Sequence, residues 1–384
     1  MLKLKPAVWE RCGDELHLMV DQREMRTLSD PDGRLDELLR LLSAGTHTPE
    51  TLAAGLARRF PDISADDVEE GISGLDGLGM LEDAAKADLL SQWQQERYFT
   101  NLVFFQSFAT LRHSKEEMQR RLIGANVLIL GAGGLGSMVL MHLTGAGVGR
   151  LTLLEHDVVE ERNFSRQFIY RHADISRAKV ERASEWVREY SPSTEVRALN
   201  GKITSSEDVA ELLEGTGADL VIAAVDTPPL EIGSWVNRAC VAAGVPHIGG
   251  GMGVQSSYFS VDPGRSPCFE CNRLVMLGEQ GEPGAAGAKW RLFQRLSLVN
   301  RGVGPIAGQI GALIAMEALR YLTEFAEPVA AGVIHSFDLS EGGAETVTPW
   351  VKHADCPVCP IAGTSASKTA PRWIRQMETA ETVS

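Results

Sequence analysis

Val127-Leu128-Ile129-Leu130-Gly131-Ala132-Gly133-Gly134-Leu135-Gly136, residues 127–136, is the stretch whose reading decides the fold. Four apolar residues predict a buried strand. The glycines after them satisfy G-x-G-x-x-G immediately before a helical run that opens near Leu135. Glycine permits the tight turn and lets backbone N–H groups approach a phosphate, and the helix N-terminus adds a field that favours anions. The turn therefore predicts a nucleotide. Glu155 lies 19 residues beyond Gly136, after a second strand at Leu151 to Leu154, where an acid accepts hydrogen bonds from ribose hydroxyls. With a further strand at Leu220 to Ala224, the expected fold class is α/β, a Rossmann-like doubly wound domain. A dinucleotide and ATP are equally compatible with these residues, and glycines used for packing alone are the bland alternative.

The run Glu155-His156-Asp157 to Asn163-Phe164-Ser165-Arg166-Gln167, followed by Lys179 and by Asp226 at a strand end, separates the two nucleotides. Hydride transfer needs few cations beyond the pyrophosphate region. A triphosphate needs cations at its α-phosphate and a carboxylate to hold Mg2+, which Arg166, Lys179 and Asp226 would supply. Isolated charges often lie on solvated helix faces, but the clustering of these after the ribose acid favours a shared site.

The 384 residues carry 37 Lys+Arg against 51 Asp+Glu, a net charge of −14, and this argues against nucleic acid as a partner. The most apolar long stretch, Val303 to Leu322, is interrupted by Gly308, Gln309, Gly311 and Glu317, so no membrane span is expected, and the protein is expected to be cytoplasmic. The charge is uneven. Residues 1–90 hold 10 Lys+Arg and 19 Asp+Glu, a net of −9, so the front of the chain is expected to be a separate domain. Leu16, Leu18 and Val20 alternate as a strand, and Met25 to Leu28 returns across an Asp21-Gln22 turn. Leu35, Leu38, Leu39 and Leu42 have helical spacing. Thr48-Pro49-Glu50 and Ser64 with Asp67 read as helix starts. A hairpin with three helices predicts a small winged-helix-like (α+β) domain over residues 1–88, whose acidity suits peptide docking at a sheet edge better than DNA. A dimerisation or purely structural cap is the alternative. Residues 85–122 look helical, and the tail 361–384 is expected to be mobile.

With these motifs in place, residues 97–360 resemble the E1-like (ThiF/MoeB/ubiquitin-activating) adenylating superfamily. The resemblance rests on G-x-G-G-L-G, an acid-x-Asp pair, N-x-x-R-Q, a Lys thirteen residues after the Arg, and a strand-end Asp. Trp235-Val236-Asn237-Arg238-Ala239-Cys240, Gly249-Gly250-Gly251 and the run from Gly264 to Cys271 are most similar to the MccB-like peptide-adenylating enzymes of microcin C7 biosynthesis. The resemblance implies an ATP-binding adenylation domain over 89–360 and a peptide-clamp role for the front domain. It implies that Gly131, Gly133, Gly134 and Gly136 cradle phosphate and that Glu155 holds the ribose. Asp157, Asn163, Arg166, Gln167 and Lys179 would line the phosphate path, with Arg166, Lys179 and Asp226 catalytic and Asp226 on Mg2+. It also implies a homodimer. Relatives contribute an arginine from an R-Y-x-R-Q segment, of which Arg97-Tyr98-Phe99-Thr100-Asn101 keeps only the first Arg.

Six cysteines complete the inventory. Cys268/Cys271 and Cys356/Cys359 form two C-x-x-C pairs that can supply four thiolates to a structural Zn2+, with a redox pair as the alternative. Cys240 reads as a small buried hydrophobe, and Cys12 lies in the front domain. Where thioester-forming superfamily members carry their nucleophile, between Asn272 and Gly302, this chain has no cysteine. The resulting expectation is ATP- and Mg2+-dependent adenylation of the C-terminal carboxylate of a short ribosomally made precursor peptide, with pyrophosphate released and a phosphorus–nitrogen bond to AMP as one outcome. The alternative is a MoeB/ThiF-like enzyme that activates a Gly-Gly-ending β-grasp sulfur-carrier protein. A non-catalytic docking protein and an NAD-dependent dehydrogenase are the other classes considered.

Overall fold

Alternation on the first hairpin buries Leu16 and Leu18 and turns their neighbours outward, which gives the front of the chain its core. The computed structural model describes residues 1–20, 25–229, 231–280, 288 and 302–359, and it divides into two units, Met1–Arg121 and Leu122–Ser384. In the first unit, β1 (Leu2–Leu4) pairs with β5 (Leu81–Asp83), and β2 (Val8–Cys12), β3 (Glu15–Met19) and β4 (Met25–Ser29) form an antiparallel sheet in that order. Leu16 faces Leu28 across the expected hairpin, whose Asp21-Gln22 turn lies outside the described residues. Helices α1 (Arg34–Ala44), α2 (Pro49–Ala57) and α3 (Ala65–Gly77) occupy the three expected positions. Thr48 caps α2, and Ser64 and Asp67 cap α3 reciprocally. Leu38, Leu39, Leu42, Leu52, Leu56, Val68 and Leu75 close over Leu16 and Leu18.

The unit does not end at residue 88. It continues through α4 (Gln92–Arg97), α5 (Phe99–Gln106) and most of α6 (Lys115–Gly124). The buried Lys5 ammonium explains part of this, because it donates to the carbonyls of Gly79, Gln106 and Ala109 and so ties the later segment to the first strands. Lys86 with Glu117 and Lys115 with Glu82 add two ion pairs across the same junction.

The second unit is an eight-stranded sheet in the order β13-β12-β11-β10-β9-β6-β7-β8. Its parallel half alternates with helices: β6 (Asn126–Leu130), α7 (Gly134–Ala146), β7 (Arg150–Glu155), α8 (Lys179–Tyr190), β8 (Glu195–Asn200), α9 (Ser206–Thr216), β9 (Leu220–Ala223), α10 (Glu231–Ala243) and β10 (His247–Gly251). The other half is an antiparallel extension of β10 by β11 (Gln255–Val261), β12 (Val333–Asp338) and β13 (Ala344–Pro349). Between β11 and β12 run α11 (Phe269–Gln280) and the 20-residue α12 (Gly304–Thr323). This is the expected Rossmann-like doubly wound arrangement, with β7 and β8 on one side of β6 and β9 and β10 on the other. The carboxyl ends of β6 and β9 are the switch point at which such sheets bind ligands. Among the described residues, no helix is long and apolar enough to cross a membrane. The tail 361–384 lies outside the described residues.

Candidate nucleotide site

The glycine turn sits at that switch point because side chains would not fit there. Gly131 has φ +91°, and a Cβ on it would lie 2.5 Å from the Ala224 carbonyl oxygen at the end of β9. A Cβ on Gly136 would lie 1.9 Å from the Gly131 carbonyl. The two strand ends and the start of α7 therefore meet backbone to backbone. Gly131 N–H donates to Leu154 O, which joins the turn to β7 as well.

Glu155, at the end of β7, turns its carboxylate into this backbone. Its Oε2 accepts Ala132 N–H at 3.0 Å, and its Oε1 accepts the N–H groups of His156 at 2.8 Å and Asp157 at 3.0 Å. From the opposite side, the buried Tyr170 hydroxyl donates to Ala132 O at 2.7 Å. Sequence reasoning missed Tyr170, because a tyrosine three residues after Arg-Gln reads as ordinary core.

The N-x-x-R-Q segment folds back onto the turn. Asn163 is buried and its Oδ1 accepts Glu160 N–H, while its backbone carbonyl accepts the N–H groups of Arg166 and Gln167, so it forms the corner that aims those two side chains. The Arg166 side chain runs over Gly134, with its Cδ 3.1 Å from where a Cβ would be, and Gln167 Nε2 lies 3.9 Å from the same point on Gly133. Arg166 Nε and Gln167 Oε1 are shielded from solvent yet have no hydrogen-bond partner. Such orphaned polar atoms at a glycine turn are what a polar ligand would satisfy. Lys179, the first residue of α8, is buried and paired with Asp157 Oδ2 at 3.2 Å, while Asp157 itself is exposed. Asp226 lies in the loop after β9 and accepts the Thr227 hydroxyl at 3.1 Å. Among the described residues it makes no bond to Arg166 or Lys179. Arg97 and Thr100 belong to the first unit, and both are exposed.

The four paired cysteines come together although 84 residues separate Cys271 from Cys356. Their sulfurs stand 3.2 Å (Cys271 to Cys359), 3.6 Å (Cys268 to Cys356 and Cys356 to Cys359) and 3.9 Å (Cys268 to Cys271) apart. Those spacings are far beyond a disulfide bond and close to the ~3.8 Å edge of a tetrahedral Zn–thiolate set. Cys240 is fully buried, and burial pushes its thiol well above the ordinary range. A cleft of 360 Å³ between β8 and α9 contains none of the expected site residues.

Comparison with known proteins follows the same lines. The ThiF family matches residues 106–358. The molybdopterin-synthase adenylyltransferase of Salmonella typhimurium is 33% identical over 233 residues, 59% of this chain and 84% of that protein. The sulfur carrier protein adenylyltransferase of Thermus thermophilus is 32% identical over 250 residues, 63% of this chain and 85% of that protein. In fold, the chain resembles the crystal structure of Escherichia coli MccB with MccA-N7isoASN, at TM-score 0.71 and 20% identity, over 93% of this chain and 99% of that one. The length of the family match and the two relatives above 30% identity lead to one conclusion: this chain belongs to the ThiF family and is an adenylyltransferase of the E1-like superfamily.

Proposed function

We propose that the chain uses ATP and Mg2+ to adenylate the C-terminal carboxylate of a short ribosomally made precursor peptide, in a microcin C-like biosynthesis, and releases pyrophosphate. The observation that carries the substrate is the first unit. It is an acidic sheet-and-helix fold whose β2 and β4 have no strand on their outer edges among the described residues, and the likeness to MccB extends over it. An unpaired strand edge suits an extended peptide, which can add as a further strand.

In the adenylation step a carboxylate oxygen attacks the α-phosphorus. The bond from that phosphorus to the bridging oxygen breaks, and pyrophosphate leaves with the electron pair. The work left to the enzyme is positioning and charge neutralisation. The glycine turn and the N-terminus of α7 would hold phosphate, and Glu155 would take the ribose. Arg166 and Lys179 would face the α-phosphate, with Asp157 orienting the lysine. Asn163 and Gln167 complete the lining. Asp226, an exposed carboxylate at the switch point, has the hard oxygen donors that Mg2+ requires; the ion would neutralise phosphate charge when bound. Cys268, Cys271, Cys356 and Cys359 would hold a structural Zn2+, for which their spacing is suited. Nothing in this step uses a thiol nucleophile. A homodimer, cytoplasmic in location, goes with this reading, and the exposed apolar residues Trp93, Phe99 and Val103 on α4 and α5 support it.

A second reading, activation of a Gly-Gly-ending β-grasp carrier protein, is favoured by the names of the Salmonella typhimurium and Thermus thermophilus relatives. Pyrophosphate release on mixing the protein with ATP, Mg2+ and either short peptides or such a carrier separates the readings. Release with peptide supports the proposal, release with the carrier alone selects the second reading, and no release with either defeats both. Asp226→Ala should abolish whatever release is seen.

A further inference from the structure

Ala132 is the only non-glycine residue among the first four of the turn, and both of its backbone polar groups are held by side chains. Its N–H goes to Glu155 Oε2 and its carbonyl receives the Tyr170 hydroxyl. Tyr170 is 4% exposed and Ala132 is 1% exposed, so neither bond competes with water. The remaining Glu155 oxygen already accepts two further N–H groups, which leaves about one of four lone-pair sites on that carboxylate for any other partner.

In a trans peptide the carbonyl and the following N–H point in opposite directions. A hydroxyl that draws the Ala132 carbonyl into the protein interior therefore turns the Gly133 N–H the other way. Among the described residues little else holds that peptide plane: Gly133 has no side chain, and the nearest atom to a Cβ placed there is Gln167 Nε2 at 3.9 Å. We propose that Tyr170 is a positioning residue for phosphate, whose hydroxyl fixes the Ala132–Gly133 peptide so that the Gly133 N–H faces the anion bound at the glycine turn. This rests on the nucleotide reading above and adds a residue that no motif in the sequence marks.

The chemistry of the phenol suits the role. Burial, and then the nearby charges of Glu155, Asp157 and Asp174, hold it well above the ordinary phenol range, so it stays protonated and able to donate. A phenylalanine at 170 keeps the ring and removes only the latch. The buried carbonyl then loses its partner, and the peptide is free to rotate toward another one.

The test separates phosphate recognition from stability, using full-length protein and titration calorimetry with ATP and with adenosine, which lacks phosphate. Tyr170→Phe should weaken ATP binding about tenfold, leave adenosine binding unchanged, and leave the unfolding midpoint of the ligand-free protein within a few degrees of wild type. Equal weakening toward both ligands, or no change toward ATP, overturns the assignment. A second measurement needs no variant. In the unmodified protein, amide hydrogen exchange at Gly133 should slow with ATP and not with adenosine, and equal exchange with both overturns it even if the variant does not fold. Wild-type protein that binds neither ligand would instead defeat the nucleotide reading on which the inference stands.

Discussion

In the parallel half of the sheet, β6 and β9 end beside one another, and the residues gathered there are polar, close to backbone N–H groups and in part without partners. In the antiparallel half, four thiols lie among Val261, Phe259, Phe269, Ile334 and Trp350. The first arrangement leaves Arg166 Nε and Gln167 Oε1 buried without a hydrogen-bond partner. The second brings α11 together with the Cys356–Cys359 segment through an apolar cluster that includes the four sulfurs. One sheet thus carries two sites built on opposite terms. The polar site sits where helix N-termini and strand ends converge. The thiol cluster sits where two segments distant in the sequence, Cys268–Cys271 and Cys356–Cys359, come together.

That contrast breaks most visibly if the thiol site is disabled. A structural zinc site is worth on the order of 10 kcal/mol of folding free energy, because the metal binds the folded chain alone. Cys356→Ser with Cys359→Ser should remove one zinc per chain, by elemental mass spectrometry, and lower the unfolding midpoint by more than about 10 °C. An unchanged midpoint would show that the thiols are packing residues. The polar site should respond in the reverse manner. Lys179→Ala should lower pyrophosphate exchange into ATP about 10²- to 10³-fold with little change in midpoint, since Asp157 is exposed and tolerates the loss of its partner. A variant that unfolds instead would make Lys179 a structural residue.

The smallest effect concerns β10, the strand shared by both halves. His247 faces Val221 in the parallel ladder and Val261 in the antiparallel one, and burial lowers its pKa from 6.5 to about 3. The unfolded chain takes up a proton near pH 6.5 while the folded chain does so only near pH 3. Stability is therefore fully present above about pH 6.5 and is lost as pH falls toward 3, on the order of a few kcal/mol at most. His247→Leu should flatten the midpoint's dependence on pH across that window, as followed by thermal unfolding. Identical pH profiles for the two proteins would remove His247 from the account.

The parallel half was the more legible of the two in sequence, for a physical reason. Buried parallel strands need continuous apolar runs, and the turn between β6 and α7 tolerates only glycine at Gly131 and Gly136, so pattern and motif coincide. The edge strands carry no such signal. All six residues of β13 are exposed, and β8 alternates only weakly. In β10, the ring of Phe259 fills the space where Gly249 would carry a side chain, so the apolar payload of that position belongs to another strand. In the first unit, alternation revealed β3, whereas β2 is mostly exposed and the three-residue β1 and β5 are too short to read. The end of that unit was invisible for another reason: its ties run from Lys5 to carbonyls about a hundred residues away, and backbone acceptors leave no trace in sequence. At the candidate site, the structure places Arg166 and Gln167 against the glycine turn and Lys179 against Asp157, and all four were marked by the resemblance to the E1-like superfamily. Tyr170 was not, since its partner is again a carbonyl.

The most direct test of the central claim is isotope exchange between labelled pyrophosphate and ATP in the presence of a short peptide with a free C-terminus. An enzyme that forms an acyl-adenylate at the glycine turn must return label to ATP when the peptide is present, and Asp226→Ala must not. ATP binding of normal strength with no exchange for any peptide or Gly-Gly-ending carrier would contradict the account.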